Sequence, residues 1–222
     1  MLDGVCPHLT EKPLMAIYDI TRTVSPGTPV WPGDTTYCAE HILRLADGHL
    51  VNLTTLTFSP HTGTHVDAYY HYEQNGAHPA AMPLDAYLGP ARVLTVARQD
   101  GPLTPEDFPP GSLEGIERLL IHSPASELDE DVWPAEFPYL SIELIERLAA
   151  QGARLVGLDS PSVDAFDSTE LTCHHALSRY KMVNIELLRL CGVPDGDYEL
   201  IALPLKLDET CGSPVRAILR TL

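Results

Sequence analysis

Proline constrains this chain more than any other feature: 20 of its 222 residues are Pro, about 9 % against a usual share of about 5 %. Pro blocks helix interiors and central strands, so long regular elements are excluded. The chain must fold as short strands and few helices joined by many turns. A core is nonetheless available, because 44 % of the residues are hydrophobic and only 20 % are charged. The length suits one domain. We read residues 1–15 as a loose N-terminal arm and 16–222 as a single domain.

Local patterns fill in that frame. Residues 16–23 (AIYDITRT) read as a short strand, ended by the turn signals of SPGTPVWPGD. Residues 37–45 and 51–58 flank Asp47-Gly48 and read as a hairpin with a longer loop. Further strands are expected over 91–97, 116–121, 154–158, 198–207 and 215–222. The best helix spans 141–151, with Ser141 as N-cap, Ile142, Ile145, Leu148 and Ala149 on one face, and Gly152 as terminator. A second helix is expected over 172–180. The class is α/β, with a mixed sheet or partly closed barrel and few helices.

Charge narrows the partners. Fourteen basic against 31 acidic residues give a net charge of −17, a surface that repels nucleic acid and anionic membranes alike. No apolar run approaches the roughly 18 residues of a membrane span. The first residues, MLDGVCPHLTEKPL, do not resemble a secretory leader, so the expected location is cytoplasmic. Five Cys without a C-x-x-C pair form neither a disulfide framework nor a thiolate zinc site. These thiols are expected to be reduced and mostly structural.

The chemistry concentrates in SPHTGTHVDAYYH, residues 59–71, where His61, His65, Asp67 and His71 fall within eleven residues. Imidazole and carboxylate are the ligands that Zn²⁺ and Mn²⁺ accept without thiolate. Gly63 between His61 and His65 suggests a tight loop that turns both rings inward. Extended backbone after it would aim Asp67 to the same side as His65. His71 is either a further ligand or a proton-transfer group. Taken one at a time these residues have ordinary readings, as solvated His or a turn-forming Asp; together they point to metal. His174-His175 alone reads as a pair on a helix surface. Glu186, within an apolar stretch, must be paired, exposed or metal-bound. Trp31 reads most simply as an aromatic packed beside a turn. G-x-S-x-G, G-x-G-x-x-G, the P-loop and H-E-x-x-H are all missing from the sequence.

His61-Thr-Gly-Thr-His65-Val-Asp67 with His71 resembles the H-x-G-x-H-x-D-x-x-x-H signature of the cyclase-like metal-dependent hydrolases. The chain is most similar there to the bacterial kynurenine formamidases. The likeness extends over 17–222, through PVWPGD (29–34), PLDAYLGP (83–90), LDSPS (158–162), GDYELIALPLK (196–206) and SPVRA (213–217). It implies a swivelling β/β/α fold, a homodimer and two zinc ions per subunit, with manganese as the alternative metal. His61, His65 and Asp67 match the ligands of one ion and Asp67, His174 and Glu186 those of the other. His71 matches the proton donor and acceptor, and Trp31 the aromatic that contacts substrate. The implied reaction is hydrolysis of N-formyl-L-kynurenine to L-kynurenine and formate. One position departs from the family: Tyr69 stands where Pro is usual, and we expect it at the loop entering His71 or at the pocket wall. The alternatives are a related hydrolase acting on another amide, such as isatin, and a metal-binding protein without turnover.

Overall fold

The computed structural model describes residues 15–134 and 136–222; the expected arm therefore lies, Met15 apart, outside the described residues. Proline sets where the short turns begin. The 3-10 turns at Pro79–Ala81, Pro105–Asp107 and Pro124–Glu127 each start on Pro, where a missing N–H leaves no helical bond unmade.

In chain order the described strands are β1 (Ile17–Asp19), β2 (Cys38–Leu43), β3 (Leu53–Thr57), β4 (His65–Asp67), β5 (Leu88–Thr95), β6 (Gly101–Leu103) and β7 (Arg118–His122). They continue as β8 (Pro138–Leu140), β9 (Leu155–Leu158), β10 (Val183–Glu186), β11 (Gly196–Ile201), β12 (Gly212–Pro214) and β13 (Ile218–Thr221). Helix α1 (Ile142–Ala150) precedes β9, and α2 (Thr172–Arg179) precedes β10. Nine strands form one mixed sheet in the order β1-β13-β11-β5-β7-β9-β10-β4-β12. Its centre, β5-β7-β9-β10, is parallel, and the strands on both sides are antiparallel. This is the curled mixed sheet with few helices that the sequence implies. The hairpin β2–β3 stands apart as its own two-stranded sheet, as does the pair β6–β8.

The central strands are buried on both faces, and their side chains alternate between two cores. Leu120 and Leu155 join Val66, Tyr87, Val183 and Ile185 on one face. Leu119, Ile121, Val156 and Leu158 face Leu144, Ile145 and Leu148 of α1 and Leu177 of α2 on the other. Helix α1 forms as expected: Ser141 Oγ accepts from Leu144 N at 3.1 Å, and Gly152 follows its last turn at φ +82°.

Several boundaries differ from the sequence reading. The strand expected over 198–207 ends at Ile201, short of Pro204, which has no N–H to offer a ladder. The strand expected from 215 begins at Ile218. Strand β4 is foreseen there only as extended backbone after Gly63, and β6, β8, β10 and β12 are additional: short segments whose pairing depends on distant partners.

Gly157 sits where β9 passes between the two cores. A Cβ there would lie 2.6 Å from Leu120 Cδ2 and 2.8 Å from Leu188 Cδ1, both fully buried. Gly157→Val should therefore destabilise the fold by about 2 kcal/mol through overpacking. The check is a shift of the urea midpoint to lower concentration with an unchanged m-value.

Candidate functional site

The site is built on β4. Residues two apart on a strand share a face, so His65 and Asp67 point together into the site while Val66, 1 % exposed, enters the core. Strand β10 pairs antiparallel with β4 and sets Glu186 opposite His65. Asn184, two residues before Glu186, donates its Nδ2–H to Asp67 Oδ2 at 2.7 Å and to Glu186 Oε1 at 3.1 Å.

His61 enters from the loop before β4. Gly63 takes φ +66°, and a Cβ on it would meet Val24 Cγ2 at 2.8 Å, so this turn requires glycine. Thr64 fastens the loop: its hydroxyl donates to Leu187 O at 2.6 Å and accepts from Arg22 N at 2.9 Å. The two rings are brought together by loop and strand rather than by a helical face, with centroids 4.9 Å apart.

His174 arrives from α2. The N-cap residue Leu171 gives that helix no side-chain cap. Asp164 does so instead, accepting from Cys173 N at 2.9 Å and His174 N at 3.1 Å. The same carboxylate binds His174 Nδ1 at 2.6 Å, which turns Nε2 toward Asp67. His174 is buried and His175 exposed, so the surface-pair reading holds only for the second.

Five side chains thus converge. His61 Nδ1 and His65 Nε2 lie 3.0 and 3.5 Å from Asp67 Oδ1, and His174 Nε2 lies 3.3 Å from Asp67 Oδ2. Glu186 places one oxygen 3.5 Å from His65 Nε2 and the other 3.7 Å from His174 Nε2. Donors around a tetrahedral zinc sit roughly 3.4 Å apart, given bonds of about 2.1 Å. His65 Nε2 and Asp67 Oδ1 are buried without a hydrogen bond of acceptable geometry. Donor atoms converging at this spacing, in an all-N/O set, fit a divalent cation.

Electrostatics agree. Burial disfavours protonated His61, yet the Asp67 carboxylate and then the Cys211 sulfur outweigh it and raise the imidazole to about 10. Burial likewise opposes charge on His65 and His174, while Asp67 with Glu186, and Asp164 with Asp67, raise them to about 9 and about 10. Asp67 is held well below the usual carboxylate range: burial pushes it up, and the three imidazoles push it down further. The pocket therefore recruits positive charge, as protons when no metal is bound.

His71 is exposed beside this cluster, its ring centroid 4.2 Å from His61 and 5.9 Å from His174. Cys211 Sγ lies 3.1 Å from His61 Nε2, beside the candidate site; Cys38, Cys173 and Cys191 are also free. A cavity of about 560 Å³ opens over the His cluster, and Trp31, Trp133 and Phe166 line its far side. Trp31 is thus more than a turn aromatic. Its ring lies 4.9 Å from Phe166 and 5.8 Å from Trp133, centroid to centroid.

Of the two places expected for Tyr69, the structure has the first: it opens the 3-10 turn that leads into His71 and does not line the pocket. It packs against the core, and its hydroxyl donates to Met182 O at 3.2 Å. Alternation alone would put Tyr69 on the face of Asp67, but β4 ends at Asp67 and the 3-10 turn over Tyr69–His71 carries the ring the other way. Asp164, Asn184, Cys211, Trp133 and Phe166 escaped the sequence reading. Only Asn184 carried a usable signal, as the second polar residue at strand spacing in V-N-I-E.

The Cyclase family model matches residues 18–165. The chain belongs to the Cyclase family. A kynurenine formamidase from Maricaulis maris (strain MCS10) is 40 % identical over 206 residues, 93 % of this chain and 98 % of that protein. A solved structure described as a potential metal-dependent hydrolase with cyclase activity superposes with a TM-score of 0.81 at 27 % identity, covering 94 % of this chain and 99 % of its own. Isatin hydrolase A from Labrenzia aggregata, bound to benzyl benzoate, gives 0.80 at 25 % identity, covering 93 % and 94 %. This Cyclase-family member is a hydrolytic enzyme.

Protonation at the site has a direct thermodynamic consequence. The three imidazoles have folded-state values of about 9 to 10, against an ordinary 6.5. A raised value contributes stability that is complete below 6.5 and is lost as pH rises through 9 to 10. Metal-free protein should therefore melt at progressively lower temperature between pH 6.5 and 10. Zinc should restore the melting temperature most strongly at the alkaline end, where protons no longer compete. A metal-free melting temperature that rises over this window contradicts the arrangement.

Proposed function

We propose that this chain hydrolyses N-formyl-L-kynurenine to formate and L-kynurenine at a binuclear metal site. The observation that carries the reading is the convergence of five N and O donors beneath a cavity walled by three aromatic rings. The near end-to-end likeness to a kynurenine formamidase supports it. His61, His65 and Asp67 would hold one ion and Asp67, His174 and Glu186 the other, with Asp67 and Glu186 shared.

Two divalent ions, zinc favoured and manganese acceptable, would polarise the formyl carbonyl and acidify the attacking water. The chain's residues do the rest. Trp31 and Phe166, tilted by 31° to each other, offer a face for the aniline ring, and Trp133 closes the wall at 89° to Trp31. His71, exposed at the cavity side of the cluster, passes a proton to the aniline nitrogen as the C–N bond breaks. Asp164 keeps the proton of His174 on Nδ1, so Nε2 stays a lone-pair donor.

We place the reaction in the cytoplasm, where free thiols such as Cys38 and Cys191 stay reduced. Among the described residues no helix is long and apolar enough to cross a membrane. We further propose a homodimer. The hairpin β2–β3 exposes Ile42, Leu53 and Leu56 by 47, 49 and 54 %, and an isolated hairpin is marginal without a covering surface. A second copy would supply it.

Asp67→Ala should lose both metal and activity, because it removes the carboxylate that faces three imidazoles. His71→Ala should retain metal and lose turnover by roughly 10²- to 10⁴-fold. Elemental analysis with steady-state kinetics checks both. Metal loss in His71→Ala equal to that in Asp67→Ala would make His71 a ligand instead.

The fold likeness to isatin hydrolase sustains one second reading, hydrolysis of a cyclic aryl amide. The two separate by kcat/KM for N-formyl-L-kynurenine against isatin on one metal-loaded preparation. We expect the formamide to be preferred by tenfold or more, about 1.4 kcal/mol. Trp31→Ala should mainly raise KM, since stacking serves ground and transition states about equally.

A further inference from the structure

The structure assigns Cys211 a role as the positioning residue of His61, an inference that rests on the proposed metal site. An imidazole that offers one nitrogen to a cation carries its proton on the other, and that N–H needs an acceptor to fix the ring. Two of the three site imidazoles have ordinary acceptors. His65 places Nδ1 2.8 Å from Gly63 O, and His174 places Nδ1 2.6 Å from the Asp164 carboxylate. His61 is turned the other way round. Its Nδ1 faces Asp67 Oδ1 at 3.0 Å, so Nε2 points outward, and what it meets there is Cys211 Sγ at 3.1 Å.

The backbone is arranged to deliver this contact. Strand β12 runs antiparallel to β4 with Gly212 opposite Asp67, and Ala68 N donates to Cys211 O at 3.0 Å. A Cβ at Gly212 would lie 2.9 Å from His61 Cε1 and 2.9 Å from Val66 O. The His61 ring thus lies flush against the bare Gly212 backbone while the preceding side chain closes over its outer nitrogen. Packing against Gly212 blocks one direction of movement, and the sulfur contact sets the rotation of the ring. His71 shares the arrangement, since one donor atom each from His61, His71 and Cys211 lie within 4.8 Å of one another. The sulfur therefore sits between a residue assigned to the metal and the one assigned to proton transfer.

The test uses the full chain stripped of metal and titrated with zinc against a chromophoric chelator, as wild type, Cys211→Ala, Cys211→Ser and Cys211→Asp. The metal-free variants should stay folded and melt cooperatively, because the contact orients a ring rather than filling the core. Cys211→Ala should weaken one of the two zinc ions by roughly 10- to 100-fold and leave the other unchanged, the usual scale for losing such an acceptor. Cys211→Asp should restore most of that affinity, because a carboxylate accepts the same N–H, and Cys211→Ser should fall between. Wild-type affinity for both ions in Cys211→Ala and Cys211→Ser overturns the positioning role while leaving the metal site standing. A wild-type chain that takes up no zinc overturns the metal reading and this inference with it. A thiolate-to-metal charge-transfer band in the cobalt-loaded wild type, lost in Cys211→Ala, also overturns it, because Cys211 would then be a ligand itself.

Discussion

Everything at the site depends on one buried carboxylate. Asp67 is 2 % exposed, and three imidazoles approach it, two at Oδ1 and one at Oδ2. An ionised carboxylate removed from water survives only with compensating positive charge and hydrogen bonds. Asn184 satisfies one direction and the imidazoles the others. These partners come from the 59–64 loop, β4, β10 and α2. Local order at Asp67 is thus an agreement among distant parts of the chain, and it explains why so short a strand as β4 occupies a fixed place.

The sheet explains how that agreement is reached. Strand β9 is fixed by cores on both faces, β10 by its parallel pairing with β9 and by Val183 and Ile185 in one core, and β10 then templates β4 through the pairs Ile185↔Val66 and Glu186↔His65. Asp164 ties the entry of α2 to the same region through two backbone amides and one imidazole. A single carboxylate so serves helix geometry and tautomer choice together. The aromatic wall is a separate provision, supplied by loops around Trp31, Trp133 and Phe166. Loops can vary without disturbing the ligand frame, consistent with one fold carrying hydrolases of different amides.

What the sequence reveals of this arrangement follows from the range of each signal. Helix α1 is readable to within a residue, because its cap, apolar face and terminator all lie within twelve consecutive positions. The candidate metal cluster is readable in part from spacing: His61, His65 and Asp67 sit close in sequence, and an extended backbone after Gly63 accounts for the common side of His65 and Asp67. His174 and Glu186 are not readable that way. Their place depends on α2 and β10 being packed beside β4, and family resemblance alone connects them to it. Tyr69 is readable as part of the loop entering His71 but not in the direction of its ring. Strand alternation from Asp67 suggests the pocket, whereas the strand stops there and the 3-10 turn over Tyr69–His71 carries the ring against the core. Cys211 and Asp164 reach His61 and His174 through contacts spanning 150 and 10 residues, beyond any local pattern.

If Asp67 organises the site as proposed, it is shared between two cations. Anomalous X-ray diffraction from crystals of the zinc-loaded protein shows this without recourse to activity. Two peaks are predicted, one bounded by His61, His65 and Asp67 and the other by Asp67, His174 and Glu186, with a different Asp67 oxygen toward each. A single peak, or peaks on His71 and Cys211 with Asp67 facing neither, would contradict it.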